Sequence, residues 1–149
     1  MIQGKRLHVA AVYGNFTIMG NEMPADDASV KPVHWVGSSR DDLRGFPEEA
    51  RRDIGFALSF AQKGDKHSSA KPLKGFKGAG VLEIVEDFHG DTYRAIYTVR
   101  FAAAVYVLHT FKKKSKSGIK TPTHELDLVA ARLKWARVDY EQWLKDKAT

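Results

Sequence analysis

Residues 81–99 read VLEIVEDFHGDTYRAIYTV and decide the fold of this 149-residue chain. On both sides of His89-Gly90-Asp91 the apolar and polar side chains alternate, and a period of two is typical of β-strands. Glycine beside polar residues between two such runs is typical of a hairpin turn. The stretch therefore predicts two antiparallel strands, residues 81–85 and 93–99.

A third strand is predicted for residues 103–111, which are nearly all apolar, as expected for a strand buried on both faces. The strand leads directly into a lysine-rich segment, residues 112–118. Beyond that segment, Thr121-Pro122 is a signal for the start of a last helix, and Glu125 stands in its first turn. We expect one apolar side of this helix to pack on the sheet, and that side contains Leu126, Val129, Ala130, Leu133, Ala136 and Tyr140.

The first half of the domain is predicted to contain one short strand, residues 33–36, followed by helices. Pro47 with two adjacent glutamates begins an amphipathic helix and Gly64 ends it. Residues 64–80 hold four glycines and four lysines, which predicts a mobile basic loop. The whole pattern predicts an α+β fold: a small antiparallel sheet of about four strands, with two N-terminal helices and a C-terminal helix packed on it.

The chain is predicted to divide into an N-terminal extension, residues 1–32, and one compact domain, residues 33–149. The extension combines a short apolar run at residues 7–13 with an acidic, turn-rich stretch at residues 20–27. A domain of this size can bury a core without disulfides or metals.

Composition excludes several classes of function. The chain has no cysteine, which excludes disulfides, thiol catalysis and zinc held by thiolates, and fits a reducing cytoplasm. No stretch approaches the roughly 20 apolar residues that span a bilayer, so we expect a cytoplasmic protein without a membrane partner. The six histidines show no pair at metal-ligand spacing, so no metal site is expected. The chain also has no glycine-rich phosphate loop, and no cofactor is expected.

Positive charge is concentrated towards the carboxyl end. Residues 1–50 carry five basic and seven acidic side chains, residues 51–100 nine and six, and residues 101–149 ten and five. A concentrated basic region attracts polyanions, which makes nucleic acid the leading class of partner. Charge alone is equally compatible with a basic protein that binds no nucleic acid.

Arg94 is the most unusual candidate because it lies inside an otherwise apolar strand. A guanidinium in that position needs an anion or a carboxylate. Its partner is either a phosphate or an acid of the same hairpin, Glu83, Glu86 or Asp87. Glu83 itself is either an ordinary salt-bridge partner or a general base for a 2′-hydroxyl.

Lysines follow the third strand without an acidic neighbour. A run of exposed charge is usually a solvated loop, but a rigid strand would orient the first lysines towards RNA phosphates. His109, near the end of that strand, is either a proton-transfer group or a buried histidine with satisfied nitrogens. The lysines of this run are Lys112, Lys113, Lys114, Lys116 and Lys120.

Five segments in a fixed order resemble the phage-derived HigB-like branch of the RelE/ParE toxin superfamily, over roughly residues 33–137. They are residues 71–75 (KPLKG), 80–84 (GVLEI), 93–97 (YRAIY), 108–113 (LHTFKK) and 120–122 (KTP) with the helix that follows.

The resemblance implies the toxin of a type II toxin–antitoxin system, with a fold like that of microbial ribonucleases. It implies metal-independent cleavage of mRNA, commonly on the ribosome, and a small antitoxin partner, often with a helix-turn-helix domain. By motif position Arg94 contacts the scissile phosphate, and Lys113 or Lys112 is the basic residue that closes the last strand. Lys74 and Lys116 would hold flanking phosphates.

One departure from the superfamily favours alternative functions. Its ribonucleases carry basic residues on the first hairpin strand, where this chain has Leu82, Glu83 and Val85. A ParE-like toxin that inhibits a topoisomerase by binding it is therefore the second hypothesis. A nucleic-acid-binding module without toxicity is the third.

Overall fold

A computed structural model describes residues 30–76, 78–114 and 121–149. Residues 1–29 of the predicted extension, and Lys116 and Lys120, lie outside these ranges. The elements in chain order are β1 (Val33–Trp35), α1 (Ser39–Arg44), α2 (Glu48–Gln62), β2 (Ala70–Pro72), β3 (Val81–Phe88), β4 (Asp91–Thr98), β5 (Val105–Lys114) and α3 (Thr123–Ala148).

The predicted α+β fold class is confirmed, with two helices before the hairpin and one at the end. The sheet has five strands rather than about four, in the order β1-β5-β4-β3-β2. It is mixed, because β1 runs parallel to β5 while the other neighbours are antiparallel. Tertiary packing decides whether an edge strand as short as β1 runs parallel or antiparallel to its neighbour. The sequence of β1 alone therefore does not predict its direction.

The β3–β4 hairpin forms where the alternating pattern predicts it, with strands that extend closer to the turn. His89 and Gly90 make a two-residue loop, because Phe88 pairs directly with Asp91. Both loop residues have positive φ, 51° and 83°, as a type I′ turn requires.

The second edge strand, β2, lies within residues 64–80, for which the composition predicts only a loop. Ala70 is buried against the sheet, while Lys71 and Pro72 are exposed. Proline and lysine at an outer edge discourage pairing with another chain, so residues that resemble a loop also suit this position.

The sheet is covered on both faces. One core joins α1 and α2 to the inward side chains of β3, β4 and β5, and a second core lies beneath α3. The buried side of α3 is centred on Val129, Ala136, Asp139 and Trp143, and Ala130, which was predicted to pack, is exposed. The helix is 26 residues long, but within the described ranges neither it nor another helix has the apolar length needed to cross a membrane.

Strand β5 contains a bulge and continues through Lys112–Lys114, beyond its predicted end at residue 111. Ile96 of β4 pairs with His109, whereas Tyr97 pairs with Val107, so Leu108 is an additional residue. Leu108 packs in the core beneath α3, and His109 also contacts α3. The bulge therefore reverses the alternation of side chains for the rest of β5.

The hairpin turn gives a direct test of the fold. His89→Asn should raise the free energy of unfolding by up to about 1 kcal/mol, because asparagine tolerates positive φ better than histidine. Gly90→Ala should lower it by about 1–2 kcal/mol. A Cβ at Gly90 meets no atom within 4 Å, so that cost is purely conformational. Urea denaturation measures both, and equal stabilities would contradict the turn geometry.

Candidate functional site

Arg94 and Glu83 lie together on the face of the sheet beneath α3. In the sheet, Arg94 lies between Phe111 of β5 and Val85 of β3. Glu83 is two residues from Val85 on the same strand, so its side chain is on the same face as that of Arg94. The Arg94 Nη1 atom donates to Glu83 Oε2 at 3.1 Å, and the two residues are 5% and 7% exposed. Of the two kinds of partner open to Arg94, the structure provides the carboxylate.

Thr121 completes this pair. Arg94 Nη1 also donates to Thr121 Oγ1 at 3.0 Å, and the Thr121 hydroxyl lies 3.4 Å from Glu83 Oε2. Thr121 was predicted to cap the last helix, but α3 begins at Thr123 with Pro122 at its N-cap position. An RNA phosphate could therefore reach Arg94 only if the segment at Thr121 moved away.

The candidate lysines that the structure describes lie in two separate regions. Lys112 and Lys114 are exposed at the hairpin-turn end, where the Lys112 ammonium lies 3.3 Å from the Asp91 carboxylate. Lys113 is 6% exposed. Lys74 follows β2, which lies three strands from β5, at the end of the sheet opposite the hairpin turn. The spacing between strands alone separates it from β5 by about 14 Å. The structure therefore separates Lys74 from the β5 lysines.

An open groove of about 650 Å³ lies where β5 passes between α1 and the first turn of α3. Aromatic rings, a His–Glu pair and a lysine share its wall, so the groove has both apolar surface and proton-transfer groups. Its lining consists of Asp42, Gly45, Phe46, Pro47, Tyr93, His109, Thr110, Phe111, Lys112 and Glu125.

His109 and Glu125 form a short polar contact at the wall of this groove. His109 Nε2 lies 2.6 Å from Glu125 Oε1, with the two side chains 7% and 19% exposed. The His109 ring stacks on Phe111 at 4.9 Å between centroids. Glu125 stands in the first turn of α3, where the helix dipole stabilises a carboxylate. The pair can therefore exchange a proton with a molecule in the groove.

Arg132 contacts His109 at the ring nitrogen that does not face Glu125. Its Nη1 donates to the Leu108 carbonyl at 2.9 Å and faces His109 Nδ1 at 3.4 Å. Burial lowers the pKa of Arg132, and the nearby carboxylates of Asp42 and Glu125 oppose that shift. The Ser38 hydroxyl accepts a hydrogen bond from Arg132 Nη2 and donates one to the Asp42 carboxylate, so it links Arg132 to Asp42.

Glu125 and Arg132 are functional candidates that sequence reasoning missed. A signal was present, since Glu125, Arg132 and Asp139 recur every seven residues along α3. Residues seven apart lie on the same helix side, and this side is otherwise apolar and packed on the sheet. Within the described ranges no cluster of three or more histidine, aspartate or glutamate side chains is arranged to hold a metal ion.

The buried Arg94–Glu83 pair predicts a large effect on stability. Arg94→Ala leaves a buried carboxylate without this guanidinium and should lower the free energy of unfolding by about 3–5 kcal/mol. Replacing both residues, Arg94→Met with Glu83→Leu, should restore most of the loss.

Arg52→Ala is the matched control, because its pair with Glu48 is exposed and worth at most about 0.5 kcal/mol. Chemical denaturation measures all three variants. An Arg94→Ala loss no larger than that of Arg52→Ala would show that the pair contributes nothing to the fold.

The chain matches a known protein family. Residues 41–134, nearly two thirds of the chain and extending from α1 into α3, match the family described as "Phage derived protein Gp49-like (DUF891)". No curated protein and no solved structure matches the chain. The chain therefore belongs to the phage-derived Gp49-like family, which is associated with toxin–antitoxin systems.

Proposed function

We propose that this protein is the toxin of a type II toxin–antitoxin pair and acts as a metal-independent endoribonuclease on mRNA. Family membership supports the toxin assignment. The observation that carries the enzymatic part is the His109–Glu125 pair, 2.6 Å apart in an open groove that Lys112 also lines. This arrangement combines proton transfer with a cation, which is what RNA cleavage without a metal requires.

The proposed reaction uses the ribose 2′-hydroxyl as nucleophile. The His109–Glu125 pair takes its proton, the 2′-oxygen forms a bond to the adjacent phosphorus, and the bond from phosphorus to the 5′-oxygen breaks. The departing 5′-oxygen takes a proton from water. Lys112 would leave Asp91 to contact the phosphate, whose charge increases during the attack. The products are a 2′,3′-cyclic phosphate and a 5′-hydroxyl.

The substrate would be single-stranded mRNA, as presented on the ribosome. Phe46, Tyr93 and Phe111 line the groove and are 6–8% exposed, so they would give the RNA an apolar contact surface rather than open faces for stacking. The cognate antitoxin, expected to carry a helix-turn-helix domain, would inhibit the toxin by covering this surface.

One observation favours a second candidate, the ParE-like inhibitor that binds a topoisomerase. Arg94, the residue that the superfamily resemblance places on the scissile phosphate, is buried against Glu83 and Thr121. A scaffold that acts by binding a protein needs no exposed arginine there. Arrest of replication while messages stay intact would select this function, and unchanged growth on overproduction would select a non-toxic binding module.

Removing the acid–base pair should abolish cleavage. The double variant His109→Ala with Glu125→Ala should reduce the rate of mRNA cleavage in a translation extract by about 10²–10⁴-fold. The parent should remain active in EDTA and leave 2′,3′-cyclic phosphate ends, which end-specific ligation detects.

Glu141→Gln is the matched control, because Glu141 is exposed on the same helix outside the groove. It should cleave at the parent rate. Full activity of the double variant, or activity lost in EDTA and restored by a divalent metal, would contradict the proposed mechanism.

A further inference from the structure

The bulge in β5 is held by a side chain from α3. The extra residue of a bulge interrupts the ladder of hydrogen bonds between strands. Here the carbonyl of that residue, Leu108, accepts a hydrogen bond of 2.9 Å from Arg132 Nη1. Arg132 therefore compensates for the interruption at the residue before His109.

The same guanidinium also contacts His109, and this contact favours one of the two neutral tautomers of the ring. Arginine donates hydrogen bonds and accepts none, so His109 Nδ1, 3.4 Å from Arg132 Nη1, acts as the acceptor. The ring hydrogen then lies on Nε2 and is donated to Glu125 Oε1 at 2.6 Å. With both nitrogens engaged, His109 has no lone pair to offer an RNA hydroxyl.

Gly37 makes room for this arrangement. A Cβ built on Gly37 would lie 2.8 Å from Arg132 Cζ and Nη2, closer than real Cβ contacts. Gly37 also has a φ of 58°, in the region that favours glycine. The turn after β1 is thus shaped to seat the guanidinium of Arg132.

We propose that Arg132 is a positioning residue that holds His109 as the neutral Nε2–H tautomer, and that the Glu125 carboxylate is the group that takes the proton from RNA. This inference rests on the proposed ribonuclease function. A Glu125 oxygen accepts the 2′-hydroxyl proton as the 2′-oxygen binds phosphorus and the 5′-oxygen leaves with a proton from water. Glu125 then returns its proton to solvent.

Exposure and lone pairs support Glu125 over His109 as this group. The Glu125 side chain is 19% exposed, against 7% for His109. A carboxylate that accepts one hydrogen bond on Oε1 keeps further acceptor sites. Its other oxygen, Oε2, lies 3.4 Å from the ring of His124, which is 78% exposed and so does not enclose it.

The first arm of the test reads the His109 tautomer and does not depend on activity. Long-range ¹H–¹⁵N spectra of the full-length protein should show protonated Nε2 and unprotonated Nδ1. Arg132→Met should shift His109 to a mixture of forms, and Arg132→Lys should restore part of the parent signal. Gly37→Ala should act like Arg132→Met.

Gly64→Ala is the matched control for Gly37→Ala. Gly64 also has a positive φ, 87°, but a Cβ there meets nothing within 4 Å. Gly64→Ala therefore has the conformational cost of a positive φ but displaces no arginine. The NMR signals of His109 should not change in this variant. Parent-like His109 signals in both Arg132→Met and Gly37→Ala would overturn the role of Arg132.

The second arm separates the two members of the pair by RNA cleavage. Glu125→Gln should reduce kcat by at least about 100-fold, because a neutral amide cannot take the proton. His109→Gln keeps a side-chain N–H that can donate to Glu125, so its kcat should fall by clearly less than that of Glu125→Gln. The reverse order would overturn the assignment to Glu125. The expected tautomer in a parent protein that cleaves no RNA would contradict the proposed function and leave the role of Arg132 intact.

Discussion

The bulge at Leu108 is the constraint on which the candidate site depends. Without the additional residue, alternation along β5 would turn His109 towards α1 and Thr110 towards α3. With it, His109 reaches Glu125 on α3, while the Thr110 hydroxyl donates to the Ser39 carbonyl on the opposite side of the sheet. One strand therefore supplies groups to both walls of the groove, and bulges often redirect side chains in this way beside active sites.

The two side-chain pairs beneath and beside α3 have different consequences. The Arg94–Glu83 pair is enclosed by the sheet and Thr121, so it joins the hairpin to the start of the last helix. The His109–Glu125 pair lies at the groove wall and can meet a ligand. A charged pair that is fully buried mainly resists disruption, whereas a histidine–carboxylate pair at a groove can change its protonation during a reaction. The proposed reaction therefore uses the groove rather than the Arg94–Glu83 pair.

Sequence reasoning succeeded where the signal is local. The alternation around His89-Gly90 predicted the hairpin, and Pro47 with Gly64 bounded α2 as observed. It placed Arg94 near a hairpin acid and left the choice of partner open. It could not predict the parallel pairing of β1, the bulge at Leu108 or the Glu125–His109 contact, because these depend on which distant segments pack together. The groove could be located only after the strand register was known.

The most direct test of the groove as the RNA-binding site is chemical-shift mapping with an RNA that has a 2′-deoxy sugar at the cleavage position. Such an RNA binds but offers no nucleophile. If the groove binds RNA, the amide signals of Gly45, Thr110 and Lys112 should shift first and saturate together as this RNA is added. Shifts confined to the opposite edge, at Lys71 and Lys74, with unchanged groove signals at saturation, would contradict it.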